Sequence, residues 1–128
     1  MPKRLKKIAV ILAGHGSRRA GFQKAMERVA SGVRKSSKYF DVTCAYLSVT
    51  SPTILEAIRL VAKKGAEEIK VLPYFLQTGD HVEAHIPEIV HKVRKEIGSK
   101  VKITLCPHLG YDEKIVALIQ KRLRGVAR

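Results

Sequence analysis

The chain has 128 residues, 45% of them hydrophobic and 28% charged, which suits one globular domain over residues 1–128 and excludes a disordered chain. Aromatic residues make up 5% and Trp is absent, so Ile, Val, Leu and Ala must fill the core. Lys and Arg number 25 against 11 Asp and Glu, a formal net charge of +14 that steers anions such as nucleic acid or a small polycarboxylate or phosphorylated ligand toward the surface.

The basic stretch Met1–Lys7 precedes an apolar run, Ile8–Ala13, that is too short for a signal sequence. No stretch approaches transmembrane length, so the expectation is a cytoplasmic protein with no membrane partner. Lys7–Ala13 itself reads as a strand buried on both faces, ending in glycine. Gly21–Ser36 follows as a helix, with Phe22, Met26, Val29 and Val33 at helical spacing. Asp41–Leu47 alternates and is β-branched, a second strand. Ser51-Pro52 then opens a helix whose apolar stripe is Ile54, Leu55, Ile58, Val61 and Ala62, with Gly65 at its C-terminal cap.

Glu68–Phe75 is the third strand, with Pro73 near its end costing a ladder donor. From Val82 to Ile97 apolar residues recur at helical spacing, and Pro87 must lie in the first turn or mark a kink. Lys100–Leu105 is the fourth strand and Ile115–Leu123 the last helix. This βαβαβαβα order predicts an α/β fold of three layers, a mainly parallel four-stranded sheet with helices on both faces. A strand order 2-1-3-4 sets strands one and three side by side, their following loops diverging to form a ligand crevice. Cys44 and Cys106 lack CxxC spacing and read as two buried free thiols of a reducing compartment.

Two motifs fall at that crevice. In Gly14-His15-Gly16-Ser17-Arg18-Arg19, flanking glycines allow a sharp turn and leave the imidazole open, while the arginines and a helix N-terminus make an anion-friendly rim. The segment is neither a Walker loop nor a G-x-S-x-G elbow. In His81-Val82-Glu83-Ala84-His85 the histidines stand four apart, but Val82 occupies the place of a zincin glutamate, which disfavours a protease. His81 leaves the third strand, Glu83 is a nearby carboxylate, and His85 either faces the same way or is simply exposed. His91 reads as a surface residue and His108 as a loop histidine. Tyr46, Tyr74 and Phe75 lie at strand ends, where they line a flat apolar ligand or pack the core and rim.

Together these residues resemble the small class II tetrapyrrole chelatases, the sirohydrochlorin cobaltochelatase family with its nickel and iron relatives. The likeness is carried by Ala13-Gly14-His15-Gly16-Ser17-Arg18, Ser51-Pro52-Thr53-Ile54-Leu55-Glu56-Ala57, Val71-Leu72-Pro73-Tyr74-Phe75-Leu76, Gly79-Asp80-His81-Val82, Ile86-Pro87 and Pro107-His108-Leu109-Gly110. The resemblance implies a chelatase fold and a lyase that inserts a divalent metal into sirohydrochlorin in tetrapyrrole and cobalamin biosynthesis. Cobalt stands first, nickel or iron next. It implies no cofactor beyond the substrate metal, and a homodimer, because longer members carry two such halves. His15 and His81 match the family's metal-handling histidines.

This chain departs from the family at His85, where an acidic residue is common before Ile86-Pro87, and at Ser48, where a glutamate is common near the end of strand two. The expected assignment is therefore His15, His81 and Glu83 as catalytic residues, His15, His81 and His85 as metal ligands, and Ser17, Arg18, Arg19, Tyr46, Tyr74 and Phe75 against the tetrapyrrole. Neutral imidazoles suit Co²⁺, Ni²⁺ and Fe²⁺ and accept protons near neutral pH.

Three other readings compete. A metal-binding or metal-sensor domain would use the same histidines without turnover. A histidine phosphatase would need an Arg-His-Gly motif, and Gly14 precedes His15 here. A nucleic-acid module is disfavoured by scattered basic residues and a missing aromatic platform.

Overall fold

A computed structural model describes residues 5–35 and 38–126. Four strands form one sheet in the order β2-β1-β3-β4, every neighbouring pair parallel. They are β1 (Ile8–Gly14), β2 (Asp41–Tyr46), β3 (Glu68–Pro73) and β4 (Lys102–Leu105). The helices are α1 (Ala20–Lys35), α2 (Ile54–Lys63), α3 (Ile86–Ile97) and α4 (Glu113–Arg124). The sheet, its order and its parallel sense match the expectation. The predicted end of the first helix at Ser36 lies outside the described residues.

Alternation along β1 divides the core. Ala9, Ile11 and Ala13 face α2 and α3, meeting Ile54, Ile58, Val61, Ile86, Val90 and Val93. Val10 and Leu12 face the other way and pack with Met26 and Ala30 of α1. Ala30, rather than the more exposed Val29, completes the buried stripe of α1. Both faces of β1 are therefore dry, which is why its sequence is an unbroken apolar run.

Several boundaries differ from the sequence reading, for local reasons. Ser51-Pro52 does not open α2. Thr53 is the N-cap, its hydroxyl accepting from Glu56 N–H at 3.1 Å while Glu56 Oε1 accepts from Thr53 N–H at 2.9 Å. This reciprocal box satisfies two orphan donors, and the proline lies before it. Gly65 follows the C-cap Lys64 with φ +110°, the left-handed position expected of it. Lys100 belongs to a 3₁₀ turn, Gly98–Lys100, and β4 begins two residues later. Cys44 is buried and burial pushes its thiol up to about 12, with the Glu27 charge adding to the rise. Cys106 is only half-buried, because it stands beyond the end of the edge strand β4.

Each edge strand carries an arginine clamp. Arg34 donates Nε and Nη2 to the Val42 carbonyl of β2 at 3.1 and 2.6 Å. Arg94 does the same to Ile103 of β4 at 3.0 and 2.6 Å. The last helix behaves differently from the others. No residue of α4 is buried, and Val116, Leu118, Ile119 and Leu123 are 42–69% exposed.

Candidate active site

His15 is the first residue after β1, and residues 74–82 leave the neighbouring strand β3. Their juxtaposition at the carboxyl end of the sheet follows from strand order alone. A pocket of about 600 Å³ opens there, lined by His15, Phe22, Tyr74, Phe75, the loop 76–80, His81 and Val82. That volume falls within the range of small-molecule sites. The His15 and His81 rings meet edge to face with centroids 4.9 Å apart, and Phe75 lies 6.0 Å from His81.

The His15 loop is fixed by a zipper to the chain that follows β2. Leu47 N–H donates to Gly14 O at 3.0 Å and Ser48 N–H to His15 O at 3.1 Å. The buried Thr50 hydroxyl then accepts from Ser17 N–H at 3.1 Å and donates to Ser17 O at 3.0 Å. Gly16 is essential to this arrangement. Its φ is +100°, and a Cβ there would stand 1.9 Å from Ser48 O. His15 Nδ1 lies 3.0 Å from Gly16 O. A carbonyl only accepts, so Nδ1 is the donor and Nε2 of the neutral ring carries the lone pair.

The second histidine segment is not α-helical, as the sequence reading had it. His81–His85 forms a single π turn, with Ile86 N–H bonded to His81 O, and α3 begins only at Ile86. Pro87 explains the change. It has no N–H for the Glu83 carbonyl and its ring would collide with that carbonyl in an α register, so the backbone widens just before it. The turn brings His81 Nδ1 and His85 Nδ1 to 2.8 Å, ring centroids 4.9 Å apart.

The other predicted site residues fall out as follows. Tyr74 and Phe75 line the pocket. Tyr46 does not, being 3% exposed against Phe22 in the α1-side core, and burial pushes its phenol up to about 12. Val42, Cys44 and Tyr46 alternate onto one face of β2, which sends Tyr46 inward. Ser17 shapes its loop, its hydroxyl accepting from Arg19 N–H at 3.1 Å. Arg18 and Arg19 are exposed and outside the lining. Glu83 is turned aside, its Oε1 accepting from the Thr78 hydroxyl at 2.8 Å. His85 touches His81 but does not line the pocket. Among the described residues, no three His, Cys, Asp or Glu side chains close into a ready-made metal cage. No described helix is long and apolar enough to cross a membrane.

Sequence reasoning missed Phe22 as a pocket residue, having it only at helical spacing in the first helix, and it missed Thr50. Phe22 stands one turn before the buried Met26, at the open end of that stripe, which was the available signal. Thr50 carried none, because its partner Ser17 is 33 residues upstream.

The chain is similar to known proteins over nearly its whole length. The CbiX family model matches residues 9–126. The chain is 32% identical over 122 residues to the sirohydrochlorin cobaltochelatase of Saccharolobus solfataricus, covering 91% of this chain and 93% of that one. It superposes on the sirohydrochlorin chelatase SirB from Bacillus subtilis subspecies spizizenii, in complex with cobalt, with a TM-score of 0.86 and 27% identity. That match covers 95% of this chain and 52% of SirB. SirB from Bacillus subtilis with Fe³⁺ gives 0.83 and 28%, over 94% of this chain and 48% of that one. The chain thus spans about half of either SirB molecule.

Proposed function

Because the chain belongs to the CbiX family, we propose that it is a sirohydrochlorin chelatase, a lyase that inserts a divalent metal, cobalt first, into the tetrapyrrole. Nickel and iron suit the same imidazoles, and the SirB structures hold cobalt and Fe³⁺. The observation that carries the reading is the His15–His81 pair, 4.9 Å between rings, set in an aromatic-walled pocket.

Metal insertion requires the ion to lose water and the macrocycle to lose two pyrrole protons. Two imidazoles serve both needs, each Nε2 lone pair holding the ion before transfer and taking up a pyrrole proton once the ion has left. An open pair, rather than a closed cage, suits an ion that is passed on rather than kept. Phe22, Tyr74 and Phe75 offer flat apolar faces to the ring. Arg18 and Arg19 stand exposed beyond the pocket, where the substrate's carboxylates would extend. Holding ring and ion together converts an encounter into an oriented transfer. The test is an anaerobic absorbance assay of sirohydrochlorin with Co²⁺, Ni²⁺ or Fe²⁺. Metallation faster than the spontaneous reaction is expected. A rate equal to the buffer blank with every metal would end the chelatase reading and leave a metal-binding domain.

The single domain expected over residues 1–128 works, in this reading, as half of a homodimer in the cytoplasm. Two features support the dimer: α4 leaves an apolar stripe uncovered, and one SirB chain is about twice the length matched here. A second copy covering α4 would bury that stripe. Light scattering should give twice the monomer mass for the wild type and the monomer mass for an Ile119→Glu/Leu123→Glu variant. A monomeric wild type would rule the dimer out. The unpaired Cys44 and Cys106 accord with a reducing compartment.

A further inference from the structure

We propose that His85 is a positioning residue that acts through His81. By accepting a hydrogen bond from His81 Nδ1–H, it holds that ring in the Nδ1–H tautomer and so leaves the Nε2 lone pair free for the metal. The proposal rests on the reading of His15 and His81 as the residues that handle the metal.

Two aromatic nitrogens 2.8 Å apart must share one hydrogen, one donating and the other accepting. The direction of the bond follows from the position of each ring. His81 lines the pocket beside His15 and His85 does not. Were His85 the donor, neutral His81 would carry its proton on Nε2 and would have no lone pair left for a metal.

With His81 as donor, its Nε2 is free, as it is in His15. There the Gly16 carbonyl plays the same part for Nδ1 at 3.0 Å. Both rings thus have Nδ1 engaged and Nε2 open, one through a backbone carbonyl and the other through a second imidazole. Ligating histidines commonly hold their other N–H in this way.

The surroundings favour this partner over the nearby carboxylate. Glu83 is occupied by the Thr78 hydroxyl at 2.8 Å. The π turn sets His85 under His81, and the buried Ile86, whose N–H closes that turn on His81 O, anchors it to the core. His85 itself is exposed, so its replacement leaves no cavity.

The experiment is long-range ¹H–¹⁵N correlation on histidine-labelled, metal-free protein at mildly alkaline pH. Expected in the wild type are Nδ1–H for His81 and Nε2–H for His85. His85→Gln keeps a carbonyl acceptor and should keep the His81 tautomer, whereas His85→Leu should shift it to Nε2–H. In the metallation assay His85→Leu should lower kcat about 10–100-fold with KM for sirohydrochlorin within about twofold, and His85→Gln should restore most of the rate. A wild-type His81 protonated on Nε2, or a tautomer unchanged in His85→Leu, overturns the proposal. Wild-type protein that shows the expected tautomers yet fails to accelerate metallation overturns the chelatase reading instead, and supports the tautomer assignment alone.

Discussion

His81→Ala is expected to slow cobalt insertion by about 10²–10⁴-fold, the span that a positioned base contributes. The variant removes the ring that faces His15 and leaves Phe75 and Tyr74 to hold the macrocycle. Affinity for sirohydrochlorin should therefore change little while the chemical step collapses. His15→Ala should behave alike. The double variant should be scarcely slower than either single one, because two groups acting as a unit do not contribute additively. Single-turnover absorbance at saturating ring, with each metal, reads this directly. A wild-type rate in His81→Ala would move the chemistry to other residues.

Gly16→Ala is expected to be the most damaging single-methyl change in the chain. The added carbon would stand 1.9 Å from Ser48 O, and the residue would be held at φ +100°. Neither can be relieved without parting the two loops, which breaks the Leu47–Gly14 and Ser48–His15 hydrogen bonds. Backbone strain of about 1–3 kcal/mol and two lost bonds of about 1 kcal/mol each put the cost at about 3–5 kcal/mol. Gly32→Ala is the natural contrast. It lies inside α1, and apart from its chain neighbours and the helix's own backbone nothing comes within 4 Å of the new carbon, so it should stabilise by about 0.5–1 kcal/mol. Denaturant midpoints for the two variants should move in opposite directions. An unshifted midpoint for Gly16→Ala would mean that the loop is not zipped as described.

The sheet was legible because its signals are local. An apolar run such as Ile8–Ala13 reports burial on both faces whatever lies beside it, and four strand-like segments alternating with amphipathic helices leave few topologies. The strand order then brought His15 to His81 without any contact being known. What escaped was non-local or counter to periodicity. The π turn keeps the apolar spacing of a helix and differs only in which carbonyl is bonded, so Val82–Ile97 read as one element. The Thr50–Ser17 clasp joins residues that no window spans. Tyr46 could have been placed by parity, since Cys44 two residues earlier already read as buried. The bare face of α4 was invisible, because amphipathicity predicts that a stripe is covered and not by what.

The arginine clamps on Val42 and Ile103 bear on behaviour outside the folded monomer. An open parallel sheet ends in two strands that offer backbone groups to any extended chain, and such edges seed strand-to-strand aggregation. Here each edge presents a guanidinium instead of a bare carbonyl, and the fork adds a fixed charge that repels an identical edge. Part of the chain's basic excess is thus spent on colloidal insurance, keeping a small sheet with short edges from recruiting its own copies into fibres.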